Sequence, residues 1–128
     1  MTKRNELTIG SAALLVVLLA LGTAARIADF KRGTYSVTAG GVKWSINFAD
    51  NNRVTFTRDG EVALEGTYKV AGDELELTDE RGPIACEGEQ KTGKYKWKLE
   101  EKRLMLTKVG DQCEGRARAL TSQVWVRE

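Results

Sequence analysis

The 128 residues fit one domain, and they combine 30% charged with 41% hydrophobic side chains, the balance of an ordinary soluble fold. The chain has two cysteines and no histidine, so it offers few of the residues that usually bind transition metals. Its formal net charge of +2 gives little long-range attraction for polyanions. Composition therefore argues against a metal centre, a cofactor and a nucleic-acid partner.

The start of the chain has the three parts of a secretory signal. Lys3 and Arg4 supply a positive beginning, residues 12–21 form a continuous apolar core, and small residues follow at once. The alternative is an uncleaved membrane anchor, because residues 7–25 approach the ~20 residues that cross a bilayer. We predict a signal peptide over residues 1–24 and an exported protein in the periplasm, the cell envelope or the extracellular space. Membrane contact would then need the uncleaved apolar segment.

Cleavage would change both the charge and the meaning of the cysteines. Loss of Lys3, Arg4 and Glu6 leaves 18 basic and 17 acidic side chains, a net charge of +1. An exported chain that holds only Cys86 and Cys113 is a candidate for a disulfide. On the chain-entropy model such a bridge stabilises the fold by ~3 to 4 kcal/mol. Half of a metal site is the alternative, but neither cysteine has a C-x-x-C partner.

After a linker over residues 25–32, the apolar pattern of residues 33–128 has a period of two. Such alternation is typical of half-buried strands. We count eight or nine short strands, with residues 115–120 among them, and the irregular stretch 79–92 as the longest loop. No run has the length and apolar spacing of an amphipathic helix. The pattern predicts an all-β antiparallel meander that closes as a barrel or folds as a sandwich.

A Gly-x-Tyr unit occurs three times, at residues 33–35, 66–68 and 93–95. Gly66 falls on the inward face of the longest predicted strand, where a glycine indicates a bend or a close approach of another backbone. Asp59-Gly60 is a strong signal for a tight hairpin, because both central residues of the favoured turn have positive φ. The chain therefore reads as one hairpin unit used several times.

Residues 33–128 contain a set of further motifs: Gly-Thr-Tyr-Lys-Val-x-Gly-Asp-x-Leu-x-Leu-Thr-Asp-Glu from residue 66, a cysteine, Gly-Lys-Tyr-Lys-Trp from residue 93, Asp-x-Cys-x-Gly-Arg from residue 111 and a final tryptophan. With these motifs the segment resembles exported bacterial lipocalin-like proteins of the calycin type. The resemblance implies an up-and-down barrel that carries a small hydrophobic molecule inside. In lipocalins an arginine lies over the ring of a first-strand Gly-x-Trp. Here Gly33-Thr-Tyr35 holds that place, and Arg116 or Arg118 is the candidate partner.

The resemblance makes the inward aromatic side chains the predicted ligand-binding residues. They are Tyr35, Trp44, Phe48, Phe56, Tyr68, Tyr95 and Trp97. An eight-stranded barrel is just wide enough to be filled by side chains, so these residues either line a pocket or occupy it. Arg116 is expected to be a buried residue that closes the barrel, with a salt bridge at the rim and capture of an anionic ligand as the alternatives.

An enzyme is not expected. Without histidine, catalysis would rely on carboxylates, lysine or tyrosine, and we expect no pair of inward carboxylates, since Glu65 is assigned to the outer face and Asp79 to a loop. The alternative function is a non-catalytic envelope scaffold or inhibitor that contacts a protein partner, whose identity is unknown, through the 79–92 loop.

Overall fold

The computed structural model describes residues 29–128, in which eight antiparallel strands form a closed barrel. The strands follow chain order: β1 Gly33–Ala39, β2 Val42–Phe48, β3 Arg53–Arg58, β4 Glu61–Ala71, β5 Glu74–Arg81, β6 Thr92–Glu100, β7 Arg103–Gly110 and β8 Trp125–Arg127. Each strand pairs with the next, and β8 also pairs with β1. The prediction of an all-β meander of eight to nine strands that closes as a barrel is confirmed, with eight strands.

The predicted signal or anchor, and most of the predicted linker, lie outside the described residues. Among residues 29–128 no helix combines the length and the apolar character that a bilayer crossing requires.

The period-two pattern of the sequence becomes the inner and outer faces of the barrel. In β6 the side chains of Tyr95 and Trp97 are buried, whereas those of Lys94, Lys96 and Lys98 between and beside them are exposed. The β3–β4 hairpin turns at Asp59 and Gly60, whose φ angles are 48° and 85°, as a tight turn requires. Local sequence thus determines both the face of each side chain and the position of this hairpin.

Gly66 allows two strands to approach closely. The register of β4 against β5 shifts between Glu65 and Gly66, and a Cβ atom at residue 66 would collide with the carbonyl oxygen of Thr78. The predicted close approach is therefore confirmed, and a β-bulge accompanies it, a feature that bends a strand.

The prediction of a strand over residues 115–120 is wrong. Residues Glu114–Thr121 form helix α1, which lies between β7 and β8 in the chain. Glu114 in the first turn and Arg118 in the last turn have the charges that the helix dipole favours. Arg116, Ala117 and Leu120 form its buried side, so the apparent alternation of arginine and alanine was part of a helical pattern.

The 79–92 loop is shorter than predicted. β5 extends to Arg81 and β6 begins at Thr92, which leaves the connection 82–91 with one 3-10 turn at Gly88–Gln90. Asp79 is not a loop residue, because it lies in β5 and is buried. The connection passes over the same end of the barrel as α1, and we call this the open end.

The opposite end, which we call the closed end, is filled by aromatic side chains. Phe30, which precedes β1, packs with ring centroids 5.0 Å from Phe48 and 5.3 Å from Trp97. Phe48 in turn lies 5.1 Å from Tyr68 and 5.8 Å from Tyr35. These five rings form the aromatic cluster of the closed end. Edge-to-face pairs of this kind add stability beyond the area that they bury.

The polar atoms of the aromatic cluster are also satisfied. The Tyr68 hydroxyl donates to the Ala49 carbonyl at 2.7 Å and accepts from Arg32 Nε at 2.8 Å. Trp97 Nε1 donates to the Gly72 carbonyl at 3.0 Å. Hydrogen bonds to the turns between strands therefore hold the rings of Tyr68 and Trp97 in place.

Candidate ligand-binding site

The open end contains an apolar cavity of about 480 Å³. Inward side chains of the barrel wall form one side, and they are Val37, Trp44, Phe56, Leu64 and Trp125. Helix α1 and the 82–91 connection form the other side, with Ile84 and the two half-cystines. The volume lies within the ~300 to 1,000 Å³ of typical small-molecule sites, which are also mainly apolar.

Small residues on one side of α1 leave room for the cavity. Gly115, Ala119 and Ser122 line it together with Arg118, at the spacing that places side chains on one side of a helix. Larger side chains at these positions would fill the space between α1 and the β1–β2 hairpin. The small size of these residues therefore accounts for the space between the helix and the barrel wall.

A disulfide fixes the two segments that cover the open end. Cys86 in the 82–91 connection is bonded to Cys113, the N-cap residue of α1, with the Cα atoms 6.3 Å apart. Both half-cystines line the cavity. The predicted disulfide is confirmed, and a bridge of this kind is compatible with an oxidising compartment.

Arg116 anchors α1 through a buried ion cluster with Asp111 and Asp79. Its Nε and Nη2 atoms donate to the two oxygens of Asp111 at 2.7 and 2.6 Å, a bidentate pair. Nη1 lies 3.1 Å from Asp79 Oδ1. The carbonyls of Lys91 and Gln90 accept the remaining bonds at 2.9 Å. Four hydrogen bonds and the ion pair with Asp79 thus surround the guanidinium.

The same carboxylates also hold the backbone of the disulfide. The N–H of Cys86 donates to Asp79 at 2.8 Å, and the N–H of Cys113 donates to Asp111 at 2.9 Å. The Tyr95 hydroxyl donates to Asp111 as well. The ion cluster and the disulfide therefore form one unit that ties β5, β6, the 82–91 connection and α1 together.

The electrostatics of this unit favour the charged forms of Asp111 and Arg116 and the neutral form of Tyr95. Burial opposes ionisation of Asp111, but hydrogen bonds from Arg116, Tyr95 and Cys113 together lower the pKa of its carboxyl below the ordinary value. Burial, and then the hydrogen bond to Asp111, raise the pKa of Tyr95 well above its ordinary value. For Arg116 burial acts in the opposite direction, yet the bonds to Asp111 and the charge of Asp79 raise its pKa further.

The glycine of the third Gly-x-Tyr unit, Gly93, lies against the buried ion pair. A Cβ atom at residue 93 would collide with the Asp111 carboxylate and would lie 2.8 Å from Arg116 Nη2. The glycine therefore makes space for the ion pair, and Tyr95 two residues later donates to it. The motif at residues 93–95 thus belongs to the support of the open end.

The structure divides the predicted ligand-binding residues into three groups. Trp44 and Phe56 line the cavity. Tyr35, Phe48, Tyr68 and Trp97 belong to the aromatic cluster of the closed end. Tyr95 is buried beside Asp111. The first-strand tyrosine is also not the partner of Arg116, because Tyr35 packs against Phe48 at the closed end whereas Arg116 is bonded to Asp111 at the open end.

Apart from Arg116, the residues of α1 that line the cavity were not among the predicted site residues. A signal for them exists in the sequence, because Arg116-Ala-Arg-Ala-Leu120 consists of strong helix formers without a β-branched residue. Within residues 29–128 no three histidine, cysteine or acidic side chains are grouped so that they could hold a metal ion. Comparison with family models, curated proteins and solved structures finds no match to this chain.

Proposed function

We propose that this is an exported, lipocalin-like protein that binds a small hydrophobic molecule in the cavity at the open end of its barrel. The observation that carries the proposal is the apolar space of about 480 Å³ between α1 and the barrel wall. The binding site then lies at the mouth of the barrel, because the aromatic cluster occupies the other end of the interior.

The surroundings of the cavity favour a preformed site. Trp44, Phe56 and Trp125 supply flat apolar surface, and the disulfide and the Arg116 cluster hold the covering segments. A site that keeps its shape without ligand avoids the ordering cost of binding. These features support a carrier that accepts ligand without a large rearrangement.

Two further features support parts of the proposal. A disulfide in the folded chain fits an exported protein better than a cytosolic one. Asp79 and Asp111, the buried carboxylates, face Arg116 and are not part of the cavity lining, which favours binding over catalysis. The resemblance to lipocalin-like sequences agrees with both.

A neutral fluorescent probe such as N-phenyl-1-naphthylamine tests the proposal. We expect its emission to rise on binding, and we expect Ala39→Trp to weaken the binding at least about tenfold, or about 1.4 kcal/mol, because Ala39 lines the cavity. Thr38→Trp is the matched control, since the neighbouring Thr38 is exposed. An absence of probe binding, or equal affinity in both variants, would reject the site.

The alternative function, contact with a protein partner through the 82–91 connection, has one supporting observation. Ile84 and Val62 are 48% and 53% exposed, and with Pro83 they border a shallow groove. If the connection recruits a partner, Ile84→Ser abolishes its capture from envelope extracts, whereas Val126→Ser, at an exposed valine of β8, leaves it unchanged. Equal capture by both variants would argue against this function.

A further inference from the structure

The charged side chains that line the cavity are all positive. Its lining contains two arginines, Arg116 and Arg118, and no aspartate or glutamate. The charge of Arg116 is balanced by Asp111 and Asp79. Arg118 takes part in none of the salt bridges found among residues 29–128. Among the residues that the structure describes, no carboxylate forms a salt bridge with Arg118 of the lining.

The polar side chains that line the cavity lie on its helix side. Arg118, Ser122 and Gln123 follow each other along the end of α1 and the residues after it, whereas the barrel side is formed by valine, leucine and aromatic residues. Arg118 lines the cavity and is exposed to solvent, so we place its guanidinium at the mouth rather than in the interior. An occupant that matches this lining has an apolar body and one polar end near α1.

A second cation reinforces the sign of the mouth. The guanidinium of Arg58 lies 5.7 Å from the ring centroid of Trp44, and Trp44 is part of the lining. This contact holds a positive charge beside the apolar wall. A cationic head group beside Trp44 would meet repulsion from this guanidinium, whereas an anionic one would be attracted to it.

We infer that the cavity takes an amphipathic organic acid, whose apolar body lies against Trp44 and Phe56 and whose anionic group is bound by Arg118 at the mouth. The planar guanidinium can form two parallel hydrogen bonds with a carboxylate or a similar group, and Ser122 and Gln123 offer further donors beside it. This inference rests on the proposed function and adds the chemical class of the ligand.

Three compounds with the same apolar chain test the sign of the head group. Decanoic acid, decanol and decylamine are each titrated against bound N-phenyl-1-naphthylamine at low ionic strength. We expect the acid to displace the probe at the lowest concentration and the amine at the highest. Displacement by none of the three would reject the cavity as a site. Displacement by the alcohol at the same concentration as the acid, or by the amine below it, would reject only the inferred class of ligand.

Substitution of Arg118 then tests the residue itself. We expect Arg118→Gln to weaken decanoic acid about fivefold to tenfold, as for a charge-assisted hydrogen bond at a partly exposed site, and to leave decanol unchanged. Arg118→Lys should restore part of the loss. Arg103→Gln is the control, because Arg103 is an exposed arginine of β7 at the closed end. Equal effects of the two glutamine variants on the acid, or equal loss of acid and alcohol, would overturn the assignment of Arg118.

Discussion

The two ends of the barrel are stabilised in different ways. At the closed end Phe30 completes a cluster of five aromatic rings, and apolar packing fills the interior. At the open end a disulfide and a buried ion cluster hold α1 and the 82–91 connection around a cavity. Covalent and ionic links can fix two segments without filling the space between them. A small barrel can therefore be solid at one end and hollow at the other.

Substitutions at either end of the barrel can test this division. Arg116→Ala should lower the free energy of unfolding by about 3 to 5 kcal/mol, because it leaves two carboxylates buried without their partner. Urea denaturation followed by tryptophan fluorescence gives the value. Arg118→Ala on the same helix is the control and should change stability by about 0.5 kcal/mol or less. A cost below that of the control would show that the cluster does not anchor the open end.

Removal of the disulfide should loosen the open end alone. We expect Cys86→Ser combined with Cys113→Ser to cost about 3 to 4 kcal/mol on the chain-entropy model. Native-state hydrogen exchange should quicken in residues 82–91 and α1, while the amides of β2 and β4 near the aromatic cluster keep their relative protection. Uniform acceleration over the whole barrel would contradict the division into two ends.

Phe30→Ala should open a gap at the closed end. Because Phe30 is only half-buried, we expect a cost of about 2 kcal/mol, below the ~3 to 5 kcal/mol of a fully buried phenylalanine. Binding of the neutral probe at the open end should not change. An increase in probe binding would mean that the barrel interior connects the two ends.

The pH dependence of stability should reveal the ion cluster. The pKa of Tyr95 is raised in the folded state, so its contribution is complete below the unfolded value of about 10 and is lost as the pH rises above it. The pKa of Asp111 is lowered, so its contribution is complete above about 3.9 and is lost as the pH falls through the lower folded value. Tyr95→Phe should cost about 1.5 kcal/mol at neutral pH and flatten the alkaline decline. An unchanged decline would assign it to other groups, among them Tyr35, whose pKa is also raised by burial.

The sequence predicts the barrel because period-two alternation directly encodes the faces of a sheet. Inward positions such as Tyr95 and Trp97, the hairpin at Asp59-Gly60 and the Cys86–Cys113 pair all follow from local pattern or composition. Local pattern does not predict that one end of the interior is filled and the other is hollow, because this difference depends on which rings Phe30 contacts from outside the strands. No local signal distinguishes Trp44, which lines the cavity, from Phe48, which fills the opposite end.

Helix α1 was missed because arginine and alanine alternate with the period of a strand, although both residues have high helix propensity. Over only eight residues, the period of a strand and the period of a helix are hard to distinguish. The buried face of the helix also includes an arginine, where an apolar residue is usual. The burial of Arg116 depends on carboxylates that lie five residues before it and 37 residues before it in the chain. A cluster assembled over such a distance leaves no pattern in any short window of sequence.

The closed end has a practical consequence for how the protein can be handled. Asp29, where the described chain begins, and Glu128 are both at the pole opposite the cavity, since Phe30 packs into the closed end and the N–H of Glu128 donates to the carbonyl of Thr34 at 2.8 Å. A tag, a sensor surface or a lipid anchor joined at either position would hold the barrel by its solid base. The mouth with Arg118 would then point away from the support and stay accessible to ligand.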